Sequence, residues 1–190
     1  MKSEAPFKIF NSLNGQKEEF NPCDSDHIKI YACGPTVYNY AHIGNARMAV
    51  VFDTFVRTLR IFYPKVTYVS NITDIDDKII EAAHEQKVEI SSITEKYTKI
   101  YNDDMSKLNV LMPDIQPKAT EYIPEMIELI EDLISKDFAY VKEDHVLFHV
   151  PNYVNYGKLS KRNRDEQIAG SRVEVAPFKK DPADFVLWKP

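Results

Sequence analysis

The sequence predicts an α/β fold in which a parallel sheet presents ligand-binding loops at the carboxyl ends of its strands. Residues 27–32 alternate and are rich in β-formers, residues 44–60 carry apolar side chains at helical spacing, and residues 66–69 are again β-rich. The order strand, helix, strand indicates a right-handed βαβ unit with two parallel strands. One such unit is half of a doubly wound sheet. We therefore expect the amino-terminal part of a longer protein, with a complete small domain as the alternative.

The helix between the two strands is predicted from its single apolar face and from Pro64, which ends it. Its core-facing residues are expected to be Met48, Val51, Phe52, Phe55, Val56 and Leu59. Two more helices are predicted at about residues 76–87 and 92–108. The second of them is expected to bury Ile93, Tyr97, Ile100, Tyr101, Met105 and Leu108.

A second module is predicted where the strand–helix–strand order stops, at about residue 112. Pro113 and Pro117 mark a break, and a helix is expected at about residues 122–135. Pro124 is tolerated there because it falls in the first turn. The inward side of this helix is expected to carry Ile123, Met126, Ile127, Ile130, Leu133 and Ile134. A hairpin with a short polar loop follows, with strands at 138–141 and 145–150, so the module is of the α+β type.

Composition excludes several classes of protein. The chain has 190 residues, 44% of them hydrophobic, which is typical of a globular protein with a proper core. No apolar stretch approaches the roughly 20 residues of a membrane span, and the amino terminus has no signal-peptide core. Two cysteines, Cys23 and Cys33, are too few for a disulfide framework and favour a reducing, cytoplasmic setting.

Charge gives a mixed indication about nucleic acids. The net charge of −5 argues against non-specific nucleic-acid binding by this segment alone. Basic residues nevertheless gather towards the carboxyl end, where they form either a solvated loop or an RNA-facing surface. They are Lys158, Lys161, Arg162, Arg164, Arg172, Lys179 and Lys180.

Residues 31–47 run from the first strand into the first helix and contain the polar groups best suited to a ligand. The first backbone N–H groups of a helix have no partner within it and attract phosphate oxygens. His42 and Asn45 lie at this helix mouth, and Gly44 lets the backbone approach a ligand closely. A histidine here can donate a hydrogen bond to the charge that builds up on an α-phosphate when a carboxylate attacks it. A helix with a polar start and a hydrogen-bonded histidine is the alternative.

The stretch His42-Ile43-Gly44-Asn45 resembles the first signature of class I aminoacyl-tRNA synthetases, in which a second histidine usually stands at the position of Asn45. The asparagine amide can still donate a hydrogen bond, so the role survives without a titrating group. Cys33 and the stretch Asn71-Ile72-Thr73-Asp74-Ile75-Asp76-Asp77-Lys78 resemble the cysteinyl-tRNA synthetase family in particular. Shorter similar stretches at 9–13, 17–20, 156–160 and 184–189 extend the resemblance over nearly the whole chain.

The resemblance implies an enzyme that activates cysteine with ATP to cysteinyl-adenylate and transfers the cysteinyl group to tRNA(Cys). Residues 1–112 would be the first half of its Rossmann-like, nucleotide-binding catalytic domain, and residues 113–190 the start of a connective insertion. His42, Gly44 and Asn45 would bind ATP with its Mg²⁺, and His42 and Asn45 would act in catalysis. A cytoplasmic monomer without membrane contact is expected, and this stretch alone is expected to be inactive.

The resemblance also implies the cysteine site. Gly34, Thr36 and Thr73 would line it, and Cys33 would be one of four ligands of a Zn²⁺ ion. Zinc binds a thiolate far better than a hydroxyl, so such a site separates cysteine from serine. The other three ligands, the Lys-Met-Ser-Lys-Ser loop and the anticodon-binding region of the family have no counterpart in these 190 residues.

Several alternatives remain open from the sequence. A related ligase that joins cysteine to an amino sugar would share the adenylate chemistry, and a non-catalytic module would only recognise RNA or a partner. Asp74, Asp76 and Asp77 could form the metal-binding box of a haloacid-dehalogenase phosphatase, although Lys78 stands where that box has threonine. Thr73 has a second expected role as a helix N-cap, and the aspartates would complement the helix dipole. Outside this stretch, His145 and His149 are interpreted as structural, and Cys23 as matching no ligand position.

Overall fold

The computed structural model describes residues 7–161 and 177–190. Arg162, Arg164 and Arg172, three of the basic residues noted above, lie outside this part. The strands are β1 Lys8–Asn11, β2 Gln16–Glu19, β3 Ile28–Ala32, β4 Val66–Ser70, β5 Ala139–Lys142, β6 His145–Phe148 and β7 Phe185–Trp188. The α-helices are α1 Ile43–Phe62, α2 Asp77–Gln86, α3 Ile90–Lys107 and α4 Ile123–Ser135. Short 3₁₀ helices are formed by Ala119–Tyr122 and Val150–Asn152.

Contacts divide the described residues into two compact units. The first comprises residue 7 and residues 20–123, and the second comprises 8–19, 124–161 and 177–190. The assignment of residues 113–190 to a connective insertion stays a prediction. No helix in the described part of the chain is both long and apolar enough to cross a bilayer.

The predicted βαβ unit is confirmed in the first unit. β3 and β4 are parallel, with Ile28 opposite Val66 and Ala32 opposite Ser70, and α1 connects them. Val56 and Leu59 of α1 are buried against the two strands. The carboxyl ends of both strands therefore lie at one edge of the sheet, where α/β proteins bind ligands.

The segment that contains Pro113 and Pro117 pairs with the edge of the sheet. Ile115 and Lys118 form parallel bridges with Val69 and Ile72, so this segment runs along the free edge of β4. Asp114 accepts a hydrogen bond from the backbone N–H of Tyr68 at 2.7 Å. The segment is thus a third extended stretch beside the pair of strands.

In the first unit, two residues predicted to be buried are exposed instead. Val51 on α1 is 58% exposed and Leu108, just after α3, is 51% exposed. Asp53, which was not predicted to face inward, is 8% exposed. Its carboxylate accepts hydrogen bonds from Arg57 Nε at 2.8 Å and from the backbone N–H of Leu111 at 3.1 Å. Asp53 therefore lies on the face of α1 that contacts the segment around Leu111. Its carboxylate satisfies a backbone N–H there, which an apolar side chain could not do.

The second unit contains a three-stranded antiparallel sheet in the order β5-β6-β7. The predicted hairpin is confirmed, but His149 lies beyond β6 rather than within it. Its Nδ1 lies 3.1 Å from Asp184, a carboxylate that is 1% exposed. Tyr140 OH donates to the same carboxylate at 2.8 Å. Burial raises the pKa of this tyrosine, and the neighbouring Asp184 raises it further. His149 is thus a structural residue, as expected.

The buried face expected on α4 is wrong for the described residues. No residue of this helix is buried, and Met126 and Ile127 are 36% and 42% exposed. Ile130, Leu133 and Ile134 are half-buried. The apolar residues of α4 do recur at helical spacing, but the other described residues cover only part of this apolar face.

Candidate active site

The amino terminus of α1 is closed by two hydrogen bonds, one accepted by the side chain of His42 and one by the side chain of Asn45. His42 is the N-cap, in extended conformation, and its Nδ1 accepts from the backbone N–H of Gly44 at 3.0 Å. Asn45 Oδ1 accepts from the backbone N–H of His42 at 3.0 Å. This is a capping box in which histidine and asparagine replace the commoner serine and glutamate. The spacing of His42 and Asn45 thus has a structural reason, namely capping of the helix, in addition to the predicted role in binding phosphate.

The cap determines which nitrogen of His42 carries the proton. Since Nδ1 accepts the Gly44 N–H, the neutral ring holds its proton on Nε2. The side chain is exposed, so this N–H can donate to a ligand in front of the helix. The geometry therefore provides one fixed donor at a point where the helix dipole already favours an anion.

Asn45 is held in a similar way. Its Oδ1 is engaged by the His42 backbone, which orients the amide and leaves Nδ2 to donate elsewhere. The residue is half-buried at the first turn of α1. One side chain thus has a capping atom and a donor atom, and the two can be tested separately.

Gly44 keeps space for the histidine ring. A Cβ placed on Gly44 would lie 2.8 Å from Cε1 and 2.9 Å from Nδ1 of His42. Such contacts are too short for real atoms, so any side chain at this position would push the ring out of its cap. The glycine is therefore needed for the position of His42 in this cap, and its role in the close approach of a ligand remains a prediction.

A cavity of about 190 Å³ opens beside the helix mouth. It is lined by Thr36, His42 and Asn45 and by several tyrosines. These tyrosines are Tyr38, Tyr40, Tyr97 and Tyr101. Pockets that enclose a whole small molecule usually measure about 300–1,000 Å³, so this cavity by itself is too small to enclose one.

The tyrosines are residues that sequence reasoning missed. Tyr97 and Tyr101 follow the apolar spacing of α3 and were predicted as core, and both are indeed largely buried. Tyr97 also makes an edge-to-face contact with Tyr40 at 5.5 Å, and burial raises the pKa of Tyr101. Helical spacing predicts which face is buried, but it does not reveal that the same face borders a cavity.

The loops after β3 and β4 bring two predicted substrate residues together. Thr36 and Thr73 form a parallel bridge, in which Val37 N–H donates to the Thr73 carbonyl at 3.2 Å and Thr73 N–H donates to the Pro35 carbonyl at 3.0 Å. Both threonines are half-buried. The parallel strands therefore continue, after a short interruption, into the loops that carry these side chains.

Gly34 lies at the tightest point between the two loops. A Cβ on Gly34 would lie 1.5 Å from the backbone oxygen of Asn71, so no other residue fits there. The N–H of Gly34 donates to Asn71 Oδ1 at 2.9 Å. Its immediate role is therefore close packing of two backbones, and a contact with substrate remains a prediction.

The helix-cap role expected for Thr73 is wrong. Asp76 is the N-cap of α2 and accepts from the Lys78 N–H at 2.9 Å. Asp74 lies two positions before this N-cap and is 6% exposed, and its two oxygens accept from the backbone N–H and the hydroxyl of Thr120. With both oxygens engaged, Asp74 is unavailable to the phosphatase-type metal box.

Cys33 follows β3 directly and its thiol is exposed. Within the described ranges, 7–161 and 177–190, no group of three or more His, Cys, Asp or Glu side chains could hold a metal ion. A zinc site needs at least three protein ligands. The described residues therefore do not form one by themselves, and Cys33 offers a single accessible thiol.

Comparison with known families gives one match that covers most of the chain. Residues 19–190 match the family model of the tRNA synthetases class I (C) catalytic domain. A cysteine–tRNA ligase of Parvibaculum lavamentivorans is 62% identical over 182 residues, which are 96% of this chain and 39% of that protein. The cysteine–tRNA ligase of Rhodospirillum rubrum is 54% identical over 182 residues, 96% of this chain and 40% of that protein. The chain thus spans about 40% of the length of these curated relatives.

Solved structures share the fold at low sequence identity. The chain superposes on the LeuRS of a LeuRS–tRNA–LeuAMS ternary complex from Agrobacterium radiobacter with a TM-score of 0.53 and 19% identity, over 68% of this chain and 18% of that one. A putative arginyl-tRNA synthetase from Campylobacter jejuni gives a TM-score of 0.50 at 14% identity, over 72% and 40% of the two chains. Both likenesses concern the fold alone.

Proposed function

The chain belongs to the family of class I tRNA synthetase (C) catalytic domains, and on this premise we propose that it is part of a cysteine–tRNA ligase. The complete protein would activate cysteine with ATP and Mg²⁺ to cysteinyl-adenylate and transfer the cysteinyl group to tRNA(Cys). The identity of 62% to a cysteine–tRNA ligase favours this activity over joining cysteine to an amino sugar. A monomer in the cytoplasm belongs to the same proposal.

The observation that carries the proposal is the capping box at the mouth of α1. His42 Nε2–H and Asn45 Nδ2 are both oriented by the hydrogen bonds of the cap and are left as donors at the positive end of the α1 dipole. Attack of the cysteine carboxylate on the α-phosphate of ATP builds up negative charge on the phosphate oxygens. Donors fixed in advance stabilise that charge without reorganising, which is the largest single contribution in many enzymes. No proton has to be transferred by either residue.

The amino acid would lie at the ends of β3 and β4, beside Gly34, Thr36 and Thr73. These residues are brought together by the Thr36–Thr73 bridge, within the same unit as the helix mouth. Cys33 would supply one thiolate to a Zn²⁺ ion whose other ligands come from outside the described residues. Such an ion would bind the thiolate of substrate cysteine and discriminate against serine. The exposed thiol of Cys33 fits this role.

The test is cysteine-dependent exchange of pyrophosphate into ATP by the full-length protein. Exchange with cysteine and little with serine is the expected result, and aminoacylation of tRNA(Cys) should follow. Full-length protein that exchanges pyrophosphate with an amino acid other than cysteine, or with none, would contradict the proposal. Cysteine-dependent exchange with transfer to an amino sugar in place of tRNA would support the related ligase.

A further inference from the structure

Asn71 connects the two loops that carry the proposed cysteine site. It stands one position after β4 and is half-buried. Its Oδ1 accepts from the backbone N–H of Gly34 at 2.9 Å, and its Nδ2 donates to Thr73 Oγ1 at 3.2 Å. Both ends of one amide are therefore used, each on a different loop.

The backbone in this region is held together without the side chain of Asn71. The hydrogen bonds of the Thr36–Thr73 bridge join the loops, and the backbone carbonyl of Asn71 packs closely against Gly34. The side-chain amide of Asn71 adds two hydrogen bonds to these backbone contacts. It sets the direction of the Thr73 hydroxyl and holds the peptide bond between Cys33 and Gly34.

The hydrogen bond from Asn71 decides whether the Thr73 hydroxyl acts as a donor or an acceptor towards other groups. A hydroxyl has one proton and two lone pairs, and Asn71 Nδ2 can only donate. Thr73 Oγ1 must therefore accept from Asn71, and its own proton is left for another acceptor. In a site for an amino acid, the oxygens of the substrate carboxyl group are acceptors of this kind.

We propose that Asn71 is a positioning residue that makes Thr73 a hydrogen-bond donor towards the amino-acid substrate and fixes the peptide after Cys33. The proposal rests on the proposed function, because it assigns the substrate of the same site. Asn71 itself does not contact the reacting atoms. Its effect is on recognition of the amino acid and does not extend to ATP, for which we propose a site at the mouth of α1.

Asn71→Asp tests this in the full-length protein, because the change is nearly isosteric. The carboxylate keeps an acceptor for the Gly34 N–H but cannot donate to Thr73, which would then turn its own proton towards residue 71. We expect KM for cysteine in pyrophosphate exchange to rise roughly 10-fold or more, as for one lost hydrogen bond to a charged group, while KM for ATP changes little. Asn152→Asp is a matched control, since Asn152 Nδ2 likewise donates a hydrogen bond, to the Asp137 carbonyl, and lies in the second unit.

A second comparison separates positioning from folding. In a Thr73→Val background Asn71→Asp should add little to KM for cysteine, because the hydroxyl it acts through is gone. An unchanged KM for cysteine in Asn71→Asp, or equal rises in both KM values with a matching loss of thermal stability, would overturn the proposal. Wild-type protein without cysteine-dependent exchange would overturn the proposed function, and this inference with it, which distinguishes the two failures.

Discussion

His42 combines a structural and a chemical role in one ring, and the two can be separated. The N-cap uses Nδ1 and the proposed phosphate contact uses Nε2. Asparagine is among the best N-cap residues but is too short to replace Nε2. This difference allows a substitution that keeps the helix start and removes only the donor.

We expect His42→Asn and His42→Ala both to lower cysteine-dependent exchange by roughly 100-fold or more, as for one lost charge-stabilising donor. Only His42→Ala should also lower thermal stability, by about 1 kcal/mol for a lost cap. His84→Ala, at an exposed histidine in the last turn of α2, is the control. Exchange at the wild-type rate in His42→Asn would show that the ring has no role beyond capping.

Asn45 permits a comparable experiment in the same assay. Asn45→His should keep substantial exchange activity, because its ring can accept from the His42 N–H and donate through its other nitrogen. Asn45→Asp keeps the acceptor but replaces the donor with a negative charge beside phosphate, so it should retain stability and lose activity. A loss in Asn45→His as severe as in His42→Ala would mean that the asparagine does something other than donate.

The helix mouth could be predicted from sequence because its contacts are local. His42, Gly44 and Asn45 interact within three positions, so the spacing itself contains the information. Asn71 and Asp74 could not be assigned in this way. Their partners lie 37 and 46 positions away, and only the pairing of distant segments brings them together.

The same distinction applies to whole elements. The helices and strands of the first unit were predicted to within a few residues, because hydrophobic spacing and prolines are local features. The edge contact of residues 115–118 with β4 was missed, since a short segment with two prolines has no strand periodicity. The exposed face of α4 was also missed, because spacing shows that a face is apolar and does not show what covers it.

The three-stranded sheet of the second unit depends on one buried carboxylate. Asp184 on the segment before β7 accepts from Tyr140 OH at 2.8 Å and from the backbone N–H groups of Val150 and Asp181 at 3.0 and 3.1 Å. His149 Nδ1 lies 3.1 Å away. Asparagine has one acceptor oxygen where this environment needs two, so Asp184→Asn would leave buried donors unsatisfied.

We expect Asp184→Asn to lower the free energy of unfolding by about 2–4 kcal/mol, measured by chemical denaturation of the full-length protein. Asp132→Asn removes an exposed i,i+4 ion pair with Lys136 and should cost at most about 0.5 kcal/mol. Equal small effects of the two substitutions would mean that the hydrogen bonds of Asp184 contribute no more than a surface pair.

At the scale of the whole molecule, the first unit exposes apolar side chains at both ends of α1 and on β3. Ile43 and Ile61 on α1 are 86% and 77% exposed, and Tyr31 on β3 is 62% exposed. Within the described part of the chain, β3 pairs with β4 alone. Since the chain spans only 39–40% of its curated relatives, the proposed function predicts that residues outside this chain cover part of these surfaces.

The zinc proposal gives the prediction that depends most on the length of the chain. A zinc site normally needs at least three protein ligands, and Cys33 is the one credible ligand that the described residues bring to the candidate site. We therefore expect the isolated 190 residues to bind zinc weakly or not at all and to lack exchange activity. Extension through the rest of the catalytic domain should restore both together.

Cys33→Ser in the long protein should remove both properties again, because a serine oxygen is a poor substitute for thiolate. Elemental analysis and pyrophosphate exchange on the short chain, the long chain and this variant make the comparison, with Cys23→Ser as the control at the other exposed cysteine. Stoichiometric zinc in the short chain would mean that it contains ligands outside the described residues. Full zinc and full activity in Cys33→Ser would exclude Cys33 from the metal site, and discrimination between cysteine and serine would then have to come from the loops that carry Thr36 and Thr73.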